Sequence, residues 1–353
     1  MADNQPLVGR PVRGLIRRLA ETEPVGARVL SVYFSLDPGH FGNASQRSTQ
    51  IRSLNAEAET LIQDSSLEHD EKVALQRDVE RAREYLESGR DVDNTGALAL
   101  FLCDPIDLFM VLQLPEPAGP SIAATDRPVL EPLARYIAQP DWCVALVNRQ
   151  NGRIIRGWKD DLVELENVED YVHQAHSQGG WSQRGYELGI EKEVDDHYGN
   201  VVGRLFEMHR REPFDHLVIA CPEEQYGEIE RAMHDSVRRV LRGRFSADVE
   251  HTTVDDIREA AAPLIEEIEA KLERELLDEL EQELGKGRNA AATPADVRRA
   301  LEERRVGTIL LDEQIDGSGD MIEGALRQSA DVVVIRHHDD LQKYERVAAL
   351  LRY

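Results

Sequence analysis

The stretch HSQGGWSQRGYELGIEKEVDDHYGNV, residues 176–201, joins a glycine-containing loop to a long helix. Gly179 and Gly180 allow backbone conformations that are closed to other residues. Beyond them, apolar residues recur every three or four positions, which predicts a helix with one apolar face through about residue 211. The members of this face are Ile190, Val194, His197/Tyr198, Val201, Leu205 and Met208. The stretch therefore predicts either a loop that carries a chemical group or an ordinary turn before a core helix.

Strand and helix patterns alternate on both sides of this stretch. Before it, we predict strands at 28–38, 94–103, 106–115 and in a meander at 141–170, and helices at 10–22, 44–66, 69–89 and 131–140. Residues 118–128 are predicted as a loop or short strand. Asn151-Gly152 is the kind of pair that forms a hairpin turn. After the stretch, we predict a strand at 214–221 and a helix at 223–242. This alternation favours an α/β fold.

The last hundred residues continue the alternation. A stripe of apolar residues from Ile257 to Leu284 predicts a long core helix, interrupted near Pro263. Residues 285–292 are predicted as a flexible loop. Thr293 is placed to cap the next helix, with Pro294 in its first turn. Strands are predicted at 306–313 and 331–337, a helix at 321–330, and a terminal helix or strand after them.

Charge, cysteine content and apolar runs limit the classes of function that the chain can have. The chain has 353 residues, with 67 acidic and 42 basic side chains and a net charge of −25. This balance argues against non-specific binding to nucleic acid, although a local basic patch would still bind phosphate. The three cysteines are far apart, which predicts buried free thiols in a reducing compartment. No apolar run is long enough to cross a membrane, so we expect a cytoplasmic protein.

Common catalytic motifs are missing from the sequence. There is no phosphate-binding P-loop, and Ser182 lacks the flanking glycines of a nucleophile elbow. His173 and His176, and the RHHDD run at 336–340, are predicted to be structural or solvated rather than metal ligands. Acids at Asp141, Asp160, Asp161 and Asp170 suggest no metal triad by their spacing. We expect no cofactor and no metal.

Three clusters of basic residues lie on or beside predicted helices. The clusters are Arg204, His209, Arg210 and Arg211; Arg238, Arg239, Arg242 and Arg244; and Arg298, Arg299, Arg304 and Arg305. A solvated helix face is the ordinary interpretation of each cluster. Three of them on so acidic a chain also suggest contact with RNA.

Three segments carry a resemblance to a known family. Residues 176–201 resemble the loop and helix of the central domain of the eukaryotic and archaeal class-1 peptide-chain release factors, where a Gly-Gly-Gln loop precedes the helix. TPADVRRALEERRVGTILLDE, residues 293–313, and the terminal YERVAALLRY resemble the third domain of the same family. The chain is thus similar to a bacterial, Balon-like member of the release factor and Pelota family, over roughly residues 140–353.

The resemblance implies an α/β protein of three domains. These are an N-terminal α/β domain (1–139), a central ribonuclease-H-like domain with the loop at 173–184 (140–254), and a C-terminal α/β/α sandwich similar to ribosomal protein L7Ae (255–353). It also implies binding at the ribosomal A site. Its further implied partners are rRNA, a tRNA and an elongation-factor-type GTPase, and we expect a monomer off the ribosome.

The loop departs from the family pattern at its reactive residue. In release factors a glutamine directly follows Gly-Gly, and its backbone amide stabilises the developing oxyanion. Here Trp181 follows Gly180, and Gln183 comes two positions late. No Asn-Ile-Lys-Ser segment of the stop-codon-reading kind is present. We therefore predict a ribosome-binding factor for rescue, hibernation or stress, without stop-codon reading and without termination chemistry.

Two alternatives remain. One is a peptidyl-tRNA hydrolase that uses a shifted Gly-Gly-Trp-Ser-Gln loop with Gln183 as its catalytic residue. The other is an acidic scaffold or stress protein that does not bind ribosomes. The residues predicted to contact rRNA or tRNA are His176, Gly179, Gly180, Trp181, Ser182, Gln183 and Arg184, with basic patches at Arg204, Arg210, Arg211, Arg238, Arg239, Arg242, Arg298 and Arg299.

Overall fold

The structure is a computed structural model that describes residues 6–10, 13–93, 95–170, 183–315 and 318–353. It divides into two compact units. The first contains described residues of 1–138, 289–333 and 344–353, and the second those of 139–288 and 334–343. Helices and strands alternate in both, which confirms the predicted multi-domain α/β fold.

The N-terminal part of the first unit is a five-stranded sheet with helices. Its elements are β1 (Leu7–Gly9), α1 (Arg13–Ala20), β2 (Val29–Ser35), α2 (Pro38–Phe41), α3 (Ala44–Ile62), α4 (His69–Glu87), β3 (Ala97–Cys103), β4 (Leu108–Leu114), β5 (Ser121–Thr125) and α5 (Ala134–Ile137). The strand order is β1-β4-β3-β2-β5. Every residue of β2 and β3 is buried, so these continuous apolar strands form the centre of the core, with α3 and α4 packed against them.

The second unit is built on another five-stranded sheet. Its elements are β6 (Trp142–Val147), β7 (Asn151–Trp158), β8 (Asp161–Glu169), α6 (Gln183–Arg211), β9 (His216–Ala220), α7 (Glu223–Ala232), α8 (Asp235–Arg238), β10 (Leu241–Phe245) and α9 (Val254–Gly285). The order is β10-β9-β6-β7-β8. The strands β6, β7 and β8 are antiparallel neighbours, while β9 and β10 run parallel to β6.

Both faces of this sheet are covered by helices. Side chains of β6 alternate between the two faces: Cys143, Ala145 and Val147 pack with α6 and α7, whereas Trp142, Val144 and Leu146 pack with α9. Alternation of this kind follows from the period of two along a strand. The strand is apolar at every position because neither of its faces meets water.

The hairpin turn between β6 and β7 lies earlier than predicted. Asn151 and Gly152 begin β7, so their assignment to the turn is wrong. The turn is made by residues 148–150, where the Asn148 side chain accepts hydrogen bonds from the N–H groups of Gln150 and Asn151 at 2.8 and 2.7 Å. Gly152 has a packing role instead, because a Cβ there would lie only 2.4 Å from Cγ2 of Val201 on α6.

The prediction of a single helix at 223–242 is wrong, because the helix is divided into α7 and α8 and its last two residues belong to β10. α7 ends at Ala232, and after the short α8 the chain forms β10. β10 pairs in parallel with β9, with Arg244 opposite Ile219 and Phe245 opposite Ala220. A strand that exists through pairing with a distant strand leaves little local signal.

Pro263 does not interrupt α9, which is a continuous helix of 32 residues. A proline inside a helix removes one hydrogen bond and leaves the carbonyl four residues earlier without its donor. That carbonyl belongs to Glu259, and both Glu259 and Pro263 are exposed. Water can therefore replace the lost donor, and the helix continues.

The C-terminal part of the first unit is a four-stranded sheet with two helices. Its elements are β11 (Ala290–Ala292), α10 (Pro294–Glu302), β12 (Val306–Asp312), α11 (Gly319–Arg327), β13 (Asp331–Ile335) and β14 (Val347–Leu351), in the order β11-β14-β12-β13. The predicted loop at 285–292 is wrong for its last three residues, which pair with β14. Thr293 caps α10 as predicted, by accepting from the N–H of Asp296.

The three cysteines are buried as the sequence predicts. Cys103, Cys143 and Cys221 are buried free thiols. Among the residues that the structure describes, no helix is both long and apolar enough to cross a membrane.

Candidate functional site at the base of residues 171–182

The predicted loop falls largely outside the described residues. His176, Gly179, Gly180, Trp181 and Ser182 belong to the segment 171–182, which the structure does not describe. Gln183 and Arg184 are the first two residues of α6, where the backbone alone is described. The site can therefore be built from the two ends of the segment, Asp170 after β8 and Gln183 at the start of α6.

The C-terminal end of the segment leads into a helix fixed firmly to the sheet. α6 has 29 residues, about 43 Å at 1.5 Å per residue. It buries Ile190, Val194, Val201 and Leu205 in the core of the second unit. The predicted apolar face is confirmed at these positions, and the missing side chain of Gly152 lets the helix approach β7 closely.

Asp170, the last described residue before the segment, is bound to the middle of the same helix. Oδ2 of Asp170 lies 2.7 Å from Nδ1 of His197 and accepts a hydrogen bond from Nδ2 of Asn200 at 3.1 Å. The His197 side chain has no exposed surface, whereas that of Asp170 is 33% exposed. The hydrogen bond from His197 holds the pKa of Asp170 below its usual value. Asp170 is therefore a carboxylate at neutral pH.

The C-terminal end of α6 is held by a buried ion pair. Nε of Arg156 lies 3.1 and 3.0 Å from the two carboxylate oxygens of Asp141, and its Nη1 donates to the carbonyl of Glu212 at 2.9 Å. The Arg156 and Asp141 side chains are 7% and 6% exposed. Burial raises the pKa of the Asp141 carboxyl, and the guanidinium opposes that shift. The ion pair thus connects β7 and the start of β6 to the C-terminal end of α6.

The basic patch on α6 is partly neutralised by carboxylates. Arg204 lies 3.9 Å from Glu166, and Arg210 lies 2.8 Å from Glu207. Arg211 is exposed, and among the described residues it makes no ion pair. All three side chains lie on the surface, so the patch retains positive charge mainly near the C-terminal end of α6.

The second basic patch combines one structural arginine with two surface arginines. The Arg238 guanidinium donates to the carbonyls of Glu230 and Met233, at 3.1 and 2.9 Å, and so caps the end of α7. Arg242 donates to Nδ1 of His216 at 3.2 Å. Arg239 is exposed. Together with Asp235 and Arg238 it lines an open cavity of about 280 Å³.

The third basic patch lies on α10, in the first unit. Arg298 pairs with Asp320 at 3.2 Å, and Arg299 pairs with Asp296 at 2.8 Å. Exposed pairs of this kind contribute little to stability. They do lower the net positive charge that this helix presents to phosphate.

Four of the acids and histidines considered for metal binding have other partners, whereas His173 and His176 lie outside the described residues. Asp141 pairs with Arg156, and Asp170 with His197. His337 lies 2.9 Å from Glu273, and Nε2 of His338 lies 2.8 Å from the carbonyl oxygen of Ala270. Within the described ranges, no three His, Cys, Asp or Glu side chains are grouped to hold a metal ion.

Sequence reasoning does not find the pairing of Asp170 with His197. The sequence shows Asp170 as one of several scattered acids and His197 as a member of the apolar face of α6. A histidine on an apolar helix face is a weak signal, because it is more often a core residue than a functional one. The pairing depends on the end of β8 lying beside the middle of α6, which only the fold establishes.

Comparisons with known proteins find a family model and a curated relative that resemble parts of this chain. Residues 128–270 match the model of bacterial archaeo-eukaryotic release factor family 10. Peptide chain release factor subunit 1 of Aeropyrum pernix is 24% identical over 260 residues, which are 70% of this chain and 66% of that protein. The match thus spans slightly less than two thirds of the relative's length.

Two of the similar solved structures are of a translation termination factor and of a Pelota protein. A crystal structure of an archaeal translation termination factor is 18% identical, with 98% of this chain and 99% of that chain covered and a TM-score of 0.32. An archaeal Pelota, from a structure of ribosome-bound Pelota and ABCE1, is 15% identical, with coverages of 73% and 77% and a TM-score of 0.44. The family model over residues 128–270 and the curated relative thus show that the chain is similar to the class-1 peptide-chain release factors.

Proposed function

We propose that the chain is a ribosome-binding factor that occupies the A site during rescue, hibernation or stress and does not terminate translation. The observation that carries this proposal is Trp181, which stands where the family loop has its glutamine. An indole is too bulky for a narrow site that receives a backbone amide. It is suited to stacking on a nucleobase, which is worth about 1–3 kcal/mol.

Charge supports a local rather than a general RNA contact. A net charge of −25 disfavours binding to phosphate through the whole surface. The exposed Arg211 and Arg239 provide positive charge on the same unit as the start of α6. An elongation-factor-type GTPase as the delivering partner is part of the same proposal and follows from the family resemblance.

Replacing Trp181 by Ala should weaken ribosome binding by about 5- to 150-fold, the equivalent of about 1–3 kcal/mol of stacking. Co-sedimentation of the protein with 70S ribosomes through a sucrose cushion, over a range of ribosome concentrations, measures the change. Trp181→Phe keeps an aromatic face and serves as the matched control, with affinity near that of the wild type.

Two outcomes would contradict the proposal. Equal affinity of Trp181→Ala and wild type would remove the recognition role of the indole. No co-sedimentation of the wild type at any salt concentration would reject ribosome binding and favour the acidic, non-ribosomal scaffold.

The second candidate function is hydrolysis of peptidyl-tRNA by the shifted loop. Its support is the position of Gln183 as the first residue of α6. The first N–H groups of a helix lack intrahelical partners and favour negative charge, as an oxyanion requires. The candidate predicts release of formyl-methionine from a ribosome complex, reduced at least tenfold in Gln183→Ala. Absence of release by the wild type, or equal release by the variant, would reject it.

A further inference from the structure

Helix α1 brings together the two ends of the chain within the first unit. It packs against α5, which belongs to the N-terminal part of that unit, and against α11, which belongs to the C-terminal part. Its buried face consists of Ile16, Leu19 and Ala20, and the first two have no exposed surface. Since helices of both parts contact α1, its apolar face is enclosed by the two parts together.

The side chain of Arg13, at the start of α1, bonds to both parts. Its Nε donates to the carbonyl of Ile137, at the end of α5, at 3.1 Å. Its Nη2 donates to the carbonyl of Val332, in β13, at 3.4 Å. Among the described strands, β13 lies at one edge of the C-terminal sheet. Arg13 therefore ties this edge strand to the N-terminal part.

The polar contacts of α1 with the C-terminal part form one stripe. Arg13, Arg17 and Glu21 follow one another at intervals of four positions, so they lie on the same side of the helix. Arg17 forms an ion pair with Asp331, and Glu21 accepts a hydrogen bond from the Ser329 hydroxyl at 3.3 Å. All three side chains of the stripe thus face the beginning of β13.

The two parts also approach each other closely at the start of α11. A Cβ on Gly319 would lie only 3.0 Å from Cγ of Glu131, which belongs to the N-terminal part. Burial raises the pKa of the Tyr33 hydroxyl in β2, and the carboxylates of Glu131 and Glu323 raise it further. Glu323 belongs to α11, so this helix lies within electrostatic range of the N-terminal sheet. The junction between the parts is therefore extended.

The apolar and the polar contacts of α1 have different roles. Full burial of a leucine or isoleucine stabilises more than an exposed ion pair does. The side chains of Arg17 and Asp331 are 33% and 56% exposed. Burial of Ile16 and Leu19 therefore holds α1 in place, whereas the polar stripe sets its direction along β13. Substitutions at the two kinds of position test the docking of α1 independently.

We propose that α1 is a strap that locks the N-terminal part of the first unit (described residues of 6–138) to its C-terminal part (described residues of 289–333 and 344–353). The docked strap covers its own apolar face and protects the edge strand β13. Undocking exposes both, and the C-terminal part then moves independently of the N-terminal part. This conformational device does not depend on the ribosomal function proposed above, and it can be measured on the free protein.

The first test is hydrogen exchange of the full chain, measured by mass spectrometry on peptides that cover residues 319–335. Leu19→Ala removes buried methyl groups from the strap and should raise exchange in α11 and β13 at least about tenfold. Leu75→Ala is the matched control, because Leu75 is equally buried but lies on α4 in the N-terminal core. It should leave exchange at 319–335 within about twofold of the wild type.

Arg13→Met tests the strap without opening a cavity in the core. It keeps an apolar side chain of similar length but removes the donors to Ile137 and Val332, so exchange at 319–335 should rise about threefold. Arg18→Met, at an exposed position of the same helix, should leave exchange unchanged. This pair of variants keeps the proposal testable even if Leu19→Ala folds poorly.

Reversal of the charges in the pair of Arg17 and Asp331 separates docking from the stability of α1 itself. Arg17→Asp brings two carboxylates together and should raise exchange at 319–335 about threefold. Adding Asp331→Arg restores an attractive pair and should return exchange to within about twofold of the wild type. A general loosening of α1 would not be reversed by a second substitution in β13.

Three results would overturn the strap. These are an equal rise of exchange at 319–335 in Leu19→Ala and Leu75→Ala, no rise in either Arg13→Met or Arg17→Asp, and no recovery on adding Asp331→Arg. Peptides of residues 142–158, in the second unit, should exchange as in the wild type in every variant, and an equal rise there would also reject a local strap. Ribosome binding does not enter these measurements, so either proposal can fail while the other stands.

Discussion

Arg156→Met should lower the free energy of unfolding of the second unit by about 3–5 kcal/mol at pH 7. Removing one partner of a buried ion pair leaves an uncompensated charge, here the carboxylate of Asp141. The variant also loses the donors to the carbonyl oxygens of Glu212 and Pro213 at the end of α6. The loss should shrink at low pH, because the buried Asp141 then takes up a proton and its charge disappears.

Tryptophan fluorescence during guanidinium chloride unfolding measures this effect selectively, because Trp142, Trp158 and Trp181 all belong to the second unit. Arg210→Met, which breaks an exposed pair with Glu207, is the control and should change stability by less than about 0.5 kcal/mol. Asp141→Leu combined with Arg156→Met should recover most of the loss, as apolar replacements of buried pairs often do. A loss below about 1 kcal/mol for Arg156→Met alone would contradict the prediction.

Asp78→Asn should change the pH dependence of stability in the first unit. The Asp78 side chain on α4 is 1% exposed, and burial raises its pKa to about 6. It still accepts from the N–H of Asp104 at 3.0 Å and lies 3.5 Å from Arg81. The pKa of Asp78 in the folded state lies above its value of about 3.9 in the unfolded state. Asp78 therefore keeps its proton up to a higher pH in the folded state. The protonated Asp78 side chain therefore stabilises the folded state below about pH 4. This stabilisation is lost as the pH rises through about 6.

The stability lost when Asp78 ionises in the folded state should be about 3 kcal/mol, because its pKa is raised by about two and each pKa unit corresponds to 1.36 kcal/mol. Urea unfolding followed by circular dichroism should show the stability difference between Asp78→Asn and wild type growing by this amount from pH 4 to pH 7. Asp70→Asn, at an exposed position of the same helix, is the matched control and should change stability by less than about 0.5 kcal/mol. A stability difference for Asp78→Asn that does not change with pH would contradict the prediction.

The elements that the sequence predicts well have a strong local pattern. β2 and β3 are continuous apolar strands, and their predicted ranges agree with the observed ones within three residues at either end. α6 ends at Arg211 and α10 is capped by Thr293, both as expected. These features depend on residues that are near one another in the chain, so their pattern can be recognised without the fold.

The elements that the sequence does not predict depend on distant partners. β10 and β11 are short strands that form against β9 and β14. The buried face of α9 is predicted as a stripe of apolar residues, but it includes Glu269 and Glu273. Glu269 accepts from Nε1 of Trp142 at 3.1 Å, and Glu273 accepts from the backbone N–H of His337 at 2.8 Å. Their burial is acceptable only because these donors come from remote parts of the chain.

The features that bear on function also divide into those set by neighbouring residues and those set by distant partners. The order of glycine, glycine and tryptophan, and the resemblance that surrounds it, are properties of residues 176–201, and the sequence by itself determines them. The contact of Asp170 with His197 is decided by the tertiary structure alone. Periodicity shows which face of a helix is buried, because burial follows from local spacing. It does not show which strand end meets that face, because hydrogen bonds between distant residues form only when the sheet and α6 have packed together.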